Sequence, residues 1–349
     1  MPQLTPSREV FWNIPFHAIL YPLLIITLVI FAFGVYKRIR LWRLGKSENR
    51  FDQIGQRIAD LLKYALAHYR IMKEAYPGIM HLTIFIGFLL LLIGTTIVSF
   101  DYDVWGLIFG QESFLKGNFY LVFSLILDIA GVLALIGIVI ALFRRYIQKP
   151  DRLNNQADDA VFLILLALII IGGYMVEGTR LAAQPVAWAH WSPVGDWISG
   201  FFSGENRAQA ETWHRVFWWS HLVLAFGFIA YIPFSKLFHI LASPANIYFR
   251  SSRPKGELKS IDIENAETFG ATQISDFTWK DLLDLDACTR CGRCQDSCPA
   301  WLTDKPLSPK KIILDLLDNL DQKGPELLKK KNGDEEEIPE PLVGTAVQP

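Results

Sequence analysis

All four cysteines of the chain lie in one run of twelve residues, CTRCGRCQDSCP. The spacing C-x2-C-x2-C-x3-C-P is typical of iron–sulfur ligation, because three thiolates on one tight turn can wrap a single cluster. A zinc ribbon usually pairs two C-x2-C knuckles across a longer gap, and a redox dithiol needs only two cysteines. The run therefore predicts ligands of a 4Fe-4S cluster, and it leaves no cysteine for a disulfide framework. The predicted ligands are Cys288, Cys291, Cys294 and Cys298.

The fourth cysteine of the run raises a question of assignment. In proteins with two clusters, that cysteine ligates the other cluster, whose remaining ligands come from a second run. This sequence contains no second run. We expect Cys298 to be a spare thiol, to share a cluster with a partner, or to indicate that the sequence is part of a longer protein.

The elements that must position this run are mostly apolar, since 51% of the residues are hydrophobic. About 20 apolar residues cross the roughly 30 Å of hydrocarbon in a bilayer. Five runs approach or exceed that length: 16–36, 79–100, 119–143, 160–176 and 216–238. They predict an all-α membrane protein, a five-helix transmembrane bundle followed by a small α-helical ferredoxin-like domain. The first run is too long, and its preceding flank too poor in basic residues, for a cleaved signal peptide.

Basic residues predict the orientation of the bundle. Ten lysines and arginines lie between residues 37 and 73, and four lie between 144 and 152, whereas the two other connections hold only Lys116, Arg180, Arg207 and Arg215. The positive-inside rule then places the N-terminus outside and the C-terminus inside, in a cytoplasmic (inner) membrane. This orientation puts the cysteine run in the reducing compartment that free thiols require. The net charge of −1 gives no reason to expect nucleic acid.

Composition divides the chain into four segments. Residues 1–240 are predicted to form the membrane domain, and residues 241–276 a linker. Residues 277–325 form the 4Fe-4S ferredoxin-type domain, with a short helix over 279–286 and an amphipathic helix over 308–320. The charged end, 326–349, is expected to be disordered.

Histidines near the last apolar run are candidate axial ligands of b-type haem. His221 and His239 are 18 residues apart, so one continuous helix would place both imidazoles on one face, about 27 Å apart. His214 lies on nearly the same face, closer to the outer water, and is the weaker candidate. A single intramembrane histidine is often only hydrogen-bonded, but three on one face favour haem ligated from facing helices. The chain has no C-x-x-C-H motif, so the haem would be non-covalent.

One carboxylate, Asp128, falls well within the third apolar run. An ionisable group inside a membrane is costly and often marks a functional site. The alternative is a structural residue that is hydrogen-bonded to Ser124 or to a neighbouring helix.

Two stretches of the chain resemble a known family. PGIMHLTIFIGF around His81 and WHRVFWWSHLVLAFGFIAYIPFSKLFH from Trp213 to His239 are similar to the gamma subunit of respiratory nitrate reductase. They are still more similar to the membrane domain of iron–sulfur proteins related to heterodisulfide reductase, including menaquinone-reducing partners of electron-transfer flavoprotein. LDLDACTRCGRCQDSCPAWLTDKPLSP resembles the ferredoxin module of those fused proteins. The resemblance covers about residues 10–320 and implies one or two b haems, a quinone site and cytoplasmic cubane clusters.

The sequence departs from this family in two places. The gamma-subunit pattern has two ligand histidines on the second helix, whereas His81 stands alone here. The fused proteins also continue into a second cysteine run and a cysteine-rich domain, so we expect this sequence to be an N-terminal fragment or the product of a split gene.

The predicted haem pairing depends on which argument is used. Helix depth pairs His81, one turn past Pro77, with His239, and leaves His221 to pair with an outer residue such as His17. The resemblance sets His81 opposite His221 instead, and this requires the second helix to begin well before Pro77.

These observations predict a respiratory oxidoreductase that passes electrons between a cytoplasmic donor, the cluster, b haem and the menaquinone pool. The predicted partners are membrane lipid, quinone, and an electron-transfer flavoprotein or a heterodisulfide reductase-like subunit. In that scheme Asp128 is a candidate proton relay for quinone chemistry. The alternative is a non-catalytic membrane anchor that docks a soluble redox complex.

Overall fold

The computed structural model describes residues 5–204, 206–254, 257, 264 and 270–330, and most of these residues are helical, with no β-strand among them. The helices are α1 (Leu20–Trp42), α2 (Ile54–Asp60), α3 (Ala75–Ser99), α4 (Gly117–Phe143), α5 (Ala157–Ala183), α6 (Pro193–Ser199), α7 (Arg207–Tyr231), α8 (His239–Tyr248), α9 (Trp279–Asp286), α10 (Arg293–Asp296), α11 (Pro299–Leu302) and α12 (Pro309–Lys330).

Five helical segments are long and apolar enough to cross a membrane, as predicted. They are His17–Trp42, Ala75–Ile108, Gly117–Gln148, Ala157–Ala183 and Arg207–Phe234. The fourth is 27 residues long, because α5 continues past the apolar run through polar and small residues. The predicted five-helix bundle is confirmed.

The chain forms two compact units that do not follow chain order. Unit 1 contains the described residues up to Leu28, then Ile71–Gln148 and Ala157–Ala230. Unit 2 contains Val29–Arg70, Lys149–Gln156 and the described residues from Tyr231 onward. Most of the predicted linker beyond residue 254, and the tail beyond residue 330, lie outside the described residues.

In unit 1, small residues bring α3 and α4 into close contact. A Cβ atom on Gly87 would lie 2.5 Å from the Ala130 carbonyl oxygen, and one on Gly94 would lie 2.5 Å from the Leu127 side chain. Glycine therefore lets the two backbones approach, which is how helices gain packing energy in a membrane.

In unit 2, the end of α1 shares a hydrophobic core with the segments that flank the cysteine run. The buried core residues are Leu41, Leu44, Ile274, Leu282, Leu285, Leu316, Leu317 and Leu320. Backbone hydrogen bonds join the same parts, since Lys46 N donates to Phe277 O at 2.8 Å and Trp279 N donates to Lys46 O at 3.0 Å. The amphipathic helix predicted to end at residue 320 continues to Lys330.

The structure corrects the assumption of a continuous last membrane helix over residues 216–238. α7 ends at Tyr231, and two 3-10 turns, Ile232–Phe234 and Lys236–Phe238, precede α8. Ser235 between them is extended, with φ −136° and ψ 176°. Pro233 has no backbone N–H to donate to a helical hydrogen bond, so the helix is interrupted at this residue. The five-turn count from His221 to His239 was therefore wrong.

Candidate redox-cofactor sites

The cysteine run begins directly after a well-capped helix. The Thr278 side chain accepts from Asp281 N while the Asp281 carboxylate accepts from Thr278 N, a reciprocal cap that fixes the start of α9. α9 ends at Asp286, two residues before Cys288. The helix thus holds the first cysteine at a defined position on the unit 2 core.

Left-handed backbone turns the run back on itself. Arg290 has φ 58° and Gly292 has φ 76°, a conformation that glycine adopts at no steric cost. The four-residue helix α10 follows at once and carries Cys294. Cys298 is the N-cap of α11, whose first residue is Pro299.

The first three thiols are close enough to interact electrostatically. Burial raises the pKa of the Cys288 thiol above its usual value, the Arg290 backbone N–H lowers it, and Cys291 and Cys294 raise it again. All four cysteines are free, and no group of three acidic, histidine or cysteine side chains in the described part of the chain could hold a single metal ion. A cluster of four irons spaces its ligands more widely than one ion does. The free thiols gathered on one turn therefore fit a cluster.

A connection between membrane helices supports the run from outside. The Arg152 guanidinium forms an ion pair with Asp296 at 2.9 Å, between the third and fourth cysteines. Lys310, which is buried, donates to Arg152 O at 2.9 Å and to Asn154 Oδ1 at 3.1 Å. Sequence reasoning counted Arg152 only as a positive-inside charge, and it missed Lys310.

The end of α1 supports the run from the other side. Trp42 Nε1 donates to Asp286 Oδ2 at 2.6 Å, and Arg38 lies 3.5 Å from Asp286 Oδ1. Burial raises the pKa of Asp286 to about 6, although Arg38 and the Trp42 hydrogen bond act in the opposite direction. This membrane helix therefore contacts Asp286, two residues before the first cysteine.

His221 has the geometry of a histidine prepared for metal ligation. Its Nδ1 lies 2.9 Å from the Ile169 carbonyl oxygen on α5. A carbonyl can only accept, so Nδ1 carries the proton and Nε2 keeps the lone pair that iron requires. Gly172 and Gly173 flank the ring, because Cβ atoms there would lie 3.4 Å and 3.5 Å from it. The tautomer and the space beside the ring both fit an axial ligand.

Backbone carbonyls also orient two of the other predicted haem ligands. His239 Nδ1 is 2.6 Å from Lys236 O and His17 Nδ1 is 3.3 Å from Ile14 O, so each has the same tautomer as His221. Burial lowers the pKa of His239, and the Lys236 carbonyl partly offsets this. His17 also stacks on Phe11 with ring centroids 4.7 Å apart.

His81 is half-buried in the second turn of α3, about 9 Å along the helix from Ala75. α3 begins at Ala75, two residues before Pro77. The predicted pairings themselves stay predictions.

His214 is more deeply enclosed than the sequence indicated. Its side chain is 3% exposed, its Nδ1 is buried without a hydrogen-bond partner among the described residues, and its ring centroid lies 5.2 Å from that of Trp12. The unsatisfied nitrogen could have been found only from the fold, since the pattern shows spacing and not partners.

Asp128, on α4, binds the first turn of the short helix α6. Its Oδ2 accepts from Val194 N, in the first turn of α6, at 2.8 Å, and the Tyr174 hydroxyl donates to its backbone carbonyl. Ser124, the predicted alternative partner, lies instead 2.6 Å from Ser192. If the carboxylate has the predicted structural role, its hydrogen-bond partner is the Val194 N–H.

An apolar cavity of about 460 Å³ lies beside this carboxylate in unit 1. Its walls come from α4, α5 and α6: Val132, Leu135, Ile136, Val139, Ile140, Ile171, Tyr174, Met175, Val194, Trp197 and Ile198. Tyr174 and Val194 line the cavity and also bind Asp128. The cavity has the size of a small-molecule site with few polar groups.

The fold and the cysteine module define a membrane iron–sulfur protein. Residues 106–253 match the nitrate reductase gamma subunit family, and residues 279–300 match a 4Fe-4S binding domain. The chain is 40% identical to "EtfAB:quinone oxidoreductase" of Syntrophomonas wolfei over 93% of its length, and 34% identical to "Probable iron-sulfur-binding oxidoreductase FadF" of Bacillus subtilis over 84%. It is also 28% identical over 51% of its length to a heterodisulfide reductase component from Methanosarcina acetivorans, of which it covers 60%.

These matches confirm the resemblance: the chain is related to the membrane-bound iron–sulfur proteins that resemble heterodisulfide reductase and carry a nitrate reductase gamma-like membrane domain. The chain spans 46% and 41% of the first two relatives, so it corresponds to less than half of each. No solved structure matches the chain.

Proposed function

We propose that this chain is the part of a quinone-linked oxidoreductase that passes electrons between a cytoplasmic donor, a 4Fe-4S cluster, b-type haem and the menaquinone pool. The observation that carries the proposal is the fixed tautomer of His221 inside the bundle, in the same chain as the cysteine module. A structural histidine needs a partner for either nitrogen, whereas a haem ligand needs Nδ1 protonated and Nε2 free of its proton.

The chain's own residues hold and orient the two cofactors. A 4Fe-4S cluster and a b-type haem, when bound, each supply one-electron transfer. The cysteine run would hold the cluster, and the Arg152–Asp296 pair and Lys310 fix the turn around it. Trp42 fixes Asp286, two residues before the first cysteine. His221 would hold haem within the bundle, with His17, His81 and His239 as further candidate ligands.

The apolar cavity beside Tyr174 is the proposed site of the quinone. Its wholly apolar lining suits an isoprenoid quinone, which is mostly apolar, while the Tyr174 hydroxyl donates to the Asp128 carbonyl. Asp128 is hydrogen-bonded to Tyr174 and Val194, which line the cavity. It would either take part in protonation of the quinone or hold these two lining residues in position. If the carboxylate moves protons, Asp128→Asn slows quinol-linked turnover while the haem spectrum is unchanged; if turnover is also unchanged, its role is structural.

We also propose on which side of the membrane the cluster lies and which kind of redox partner the chain binds. Basic connections support a C-terminus and cluster on the cytoplasmic side of the inner membrane. The names of the relatives support an electron-transfer flavoprotein or a heterodisulfide reductase-like subunit as the partner. A non-catalytic anchor is not favoured, because the relatives are named oxidoreductases and the chain retains the cysteine run.

The test is spectroscopic. The purified full chain should show dithionite-reducible b-haem bands and a low-temperature EPR signal from a reduced cluster. His221→Ala should remove a haem component and leave the EPR signal, while His190→Ala, at an exposed histidine, should change neither. A chain with full iron and no haem bands, or equal haem in both variants, would contradict the proposed role of His221.

A further inference from the structure

The segment that follows α1 presents an amphipathic helix with its apolar side outward. Six apolar or aromatic side chains, which we call the outer stripe, are between 46% and 66% exposed. They are Phe51, Ile54, Ile58, Leu62, Leu66 and Tyr69. Ile54, Ile58, Leu62 and Leu66 are four residues apart on α2 and its π-helical continuation Leu61–Leu66, so they share one face. Phe51 and Tyr69 flank the two ends of this helix.

The polar side of the same helix is buried and fixed. Arg57 is 4% exposed and donates to the carbonyl oxygens of Tyr248 and Arg250 at 2.7 Å and 2.9 Å. Asp60 is 6% exposed and pairs with the Arg250 guanidinium at 2.7 Å. Turning the outer stripe inward would break these bonds and leave buried charges without partners, so the outward orientation is built into unit 2.

A cluster of cations lies beside the outer stripe. Lys63, Arg70 and Arg250 lie 5.5 Å, 4.7 Å and 5.0 Å from the Tyr64 ring centroid, and Lys63 is also 4.9 Å from the ring of Tyr69. Asp60 balances Arg250, whereas Lys63 and Arg70 form no ion pair among the described residues. Two uncompensated positive charges are therefore held together on a pair of aromatic rings.

We propose that the outer stripe and this cation cluster form a binding site for an anionic phospholipid. The acyl chains would cover the stripe, and the headgroup phosphate would meet Lys63 and Arg70. Unit 2 also contains the end of a membrane-crossing segment at Trp42, nine residues before Phe51, so the chain keeps the stripe within reach of the bilayer surface. Apolar area on one side and cations at its edge are the two features by which a helix lies in an anionic interface.

The test uses the delipidated full chain in a non-ionic detergent. Short-chain phosphatidylglycerol is titrated, and bound lipid is counted by native mass spectrometry. Each cation near an anionic surface strengthens binding about fivefold, so Lys63→Gln with Arg70→Gln should weaken binding about 25-fold. Added salt should weaken binding by the parent chain and affect the double variant less.

Controls separate a specific site from general charge and general hydrophobicity. Lys305→Gln with Lys329→Gln removes the same charge from exposed positions elsewhere in unit 2 and should leave binding unchanged. Ile58→Ser with Leu62→Ser should weaken binding, and Leu302→Ser, at a side chain 66% exposed, should not.

Four results would overturn the proposal. The first is unchanged phosphatidylglycerol binding in the Lys63 and Arg70 double variant, and the second is equal weakening in the Lys305 and Lys329 control. The third is inorganic phosphate competing as well as the lipid, which would make this a free-anion site. The fourth is loss of binding to a soluble redox partner with lipid binding intact, which would make it a protein-docking surface.

Discussion

Replacement of Gly292 by alanine tests how the cysteine run is held. Gly292 has φ 76°, and a Cβ atom there would lie 2.7 Å from Arg152 O and 2.8 Å from Arg152 Cβ. A left-handed conformation costs a residue with a Cβ about 1–2 kcal/mol. The close contacts involve backbone, so the loop around Arg152 must move, at a cost of about 1–3 kcal/mol. Together we expect a loss of about 2–5 kcal/mol.

Gly270→Ala supplies a matched control in the same unit. Gly270 has φ 102°, but a Cβ atom there would meet nothing within 4 Å. It carries the conformational cost alone, so its loss should be about 1–2 kcal/mol. The assay is iron per chain together with the temperature at which cluster absorbance is lost on heating. Gly292→Ala should bind less iron and bleach at a lower temperature than Gly270→Ala.

Equal losses in the two glycine variants would show that backbone strain alone matters and that Arg152 does not press on the run. Parental iron content and bleaching temperature in Gly292→Ala would refute the described turn altogether.

Three further predictions concern single side chains. Cys298→Ser should retain more iron than Ser variants of the first three cysteines, and equal loss in all four would point to one four-ligand site. Hydrogen bonds led by the Thr272 N–H lower the pKa of Asp276 to about 2 from 3.8. The ionised Asp276 carboxylate stabilises the folded chain above about pH 4, and this stabilisation is lost as the pH falls to about 2. Asp276→Asn should therefore be less stable than the parent at pH 7, by about 1 kcal/mol. In unfolding curves measured in acid, the difference between variant and parent should vanish. His221→Gln keeps a donor for the Ile169 carbonyl, so the variant should fold with normal yield but lose haem absorbance; retained absorbance would assign His221 a structural role.

The membrane helices were predictable because bilayer thickness imposes a length on apolar runs. The first four spans from the sequence begin within four residues of those in the structure, whereas the helices of the structure continue five to eight residues past the ends of those four runs, as where polar residues extend α5 to Ala183. The last span begins nine residues earlier in the structure, at Arg207. The cysteine ligands were equally predictable, since cluster geometry demands fixed local spacing. The length of the apolar runs thus predicts the membrane helices, and the spacing of the cysteines predicts the candidate cluster ligands.

Contacts between distant segments were not predictable in this way. Arg152 reaches Asp296 across 144 residues, and Trp42 reaches Asp286 across 244. Nothing in the neighbourhood of Arg152 distinguishes it from the other basic residues of its connection. Likewise, hydrophobic periodicity identifies a face of α2 that carries Ile54 and Ile58, but it does not show what covers that face, and both side chains are exposed.

The interruption of the last membrane helix shows where periodicity itself fails. Hydrophobicity continues unbroken across Pro233 and so predicts one helix, but hydrophobicity reports burial in lipid and not hydrogen bonding. Pro233 withholds its N–H, Ser235 becomes extended, and the Ser235 side chain accepts from Leu237 N to start the next turn. The count of 100° per residue holds only within an unbroken helix. What supports His221 and His239 as ligands is therefore the carbonyl that orients each ring, which is local to each site and independent of their spacing.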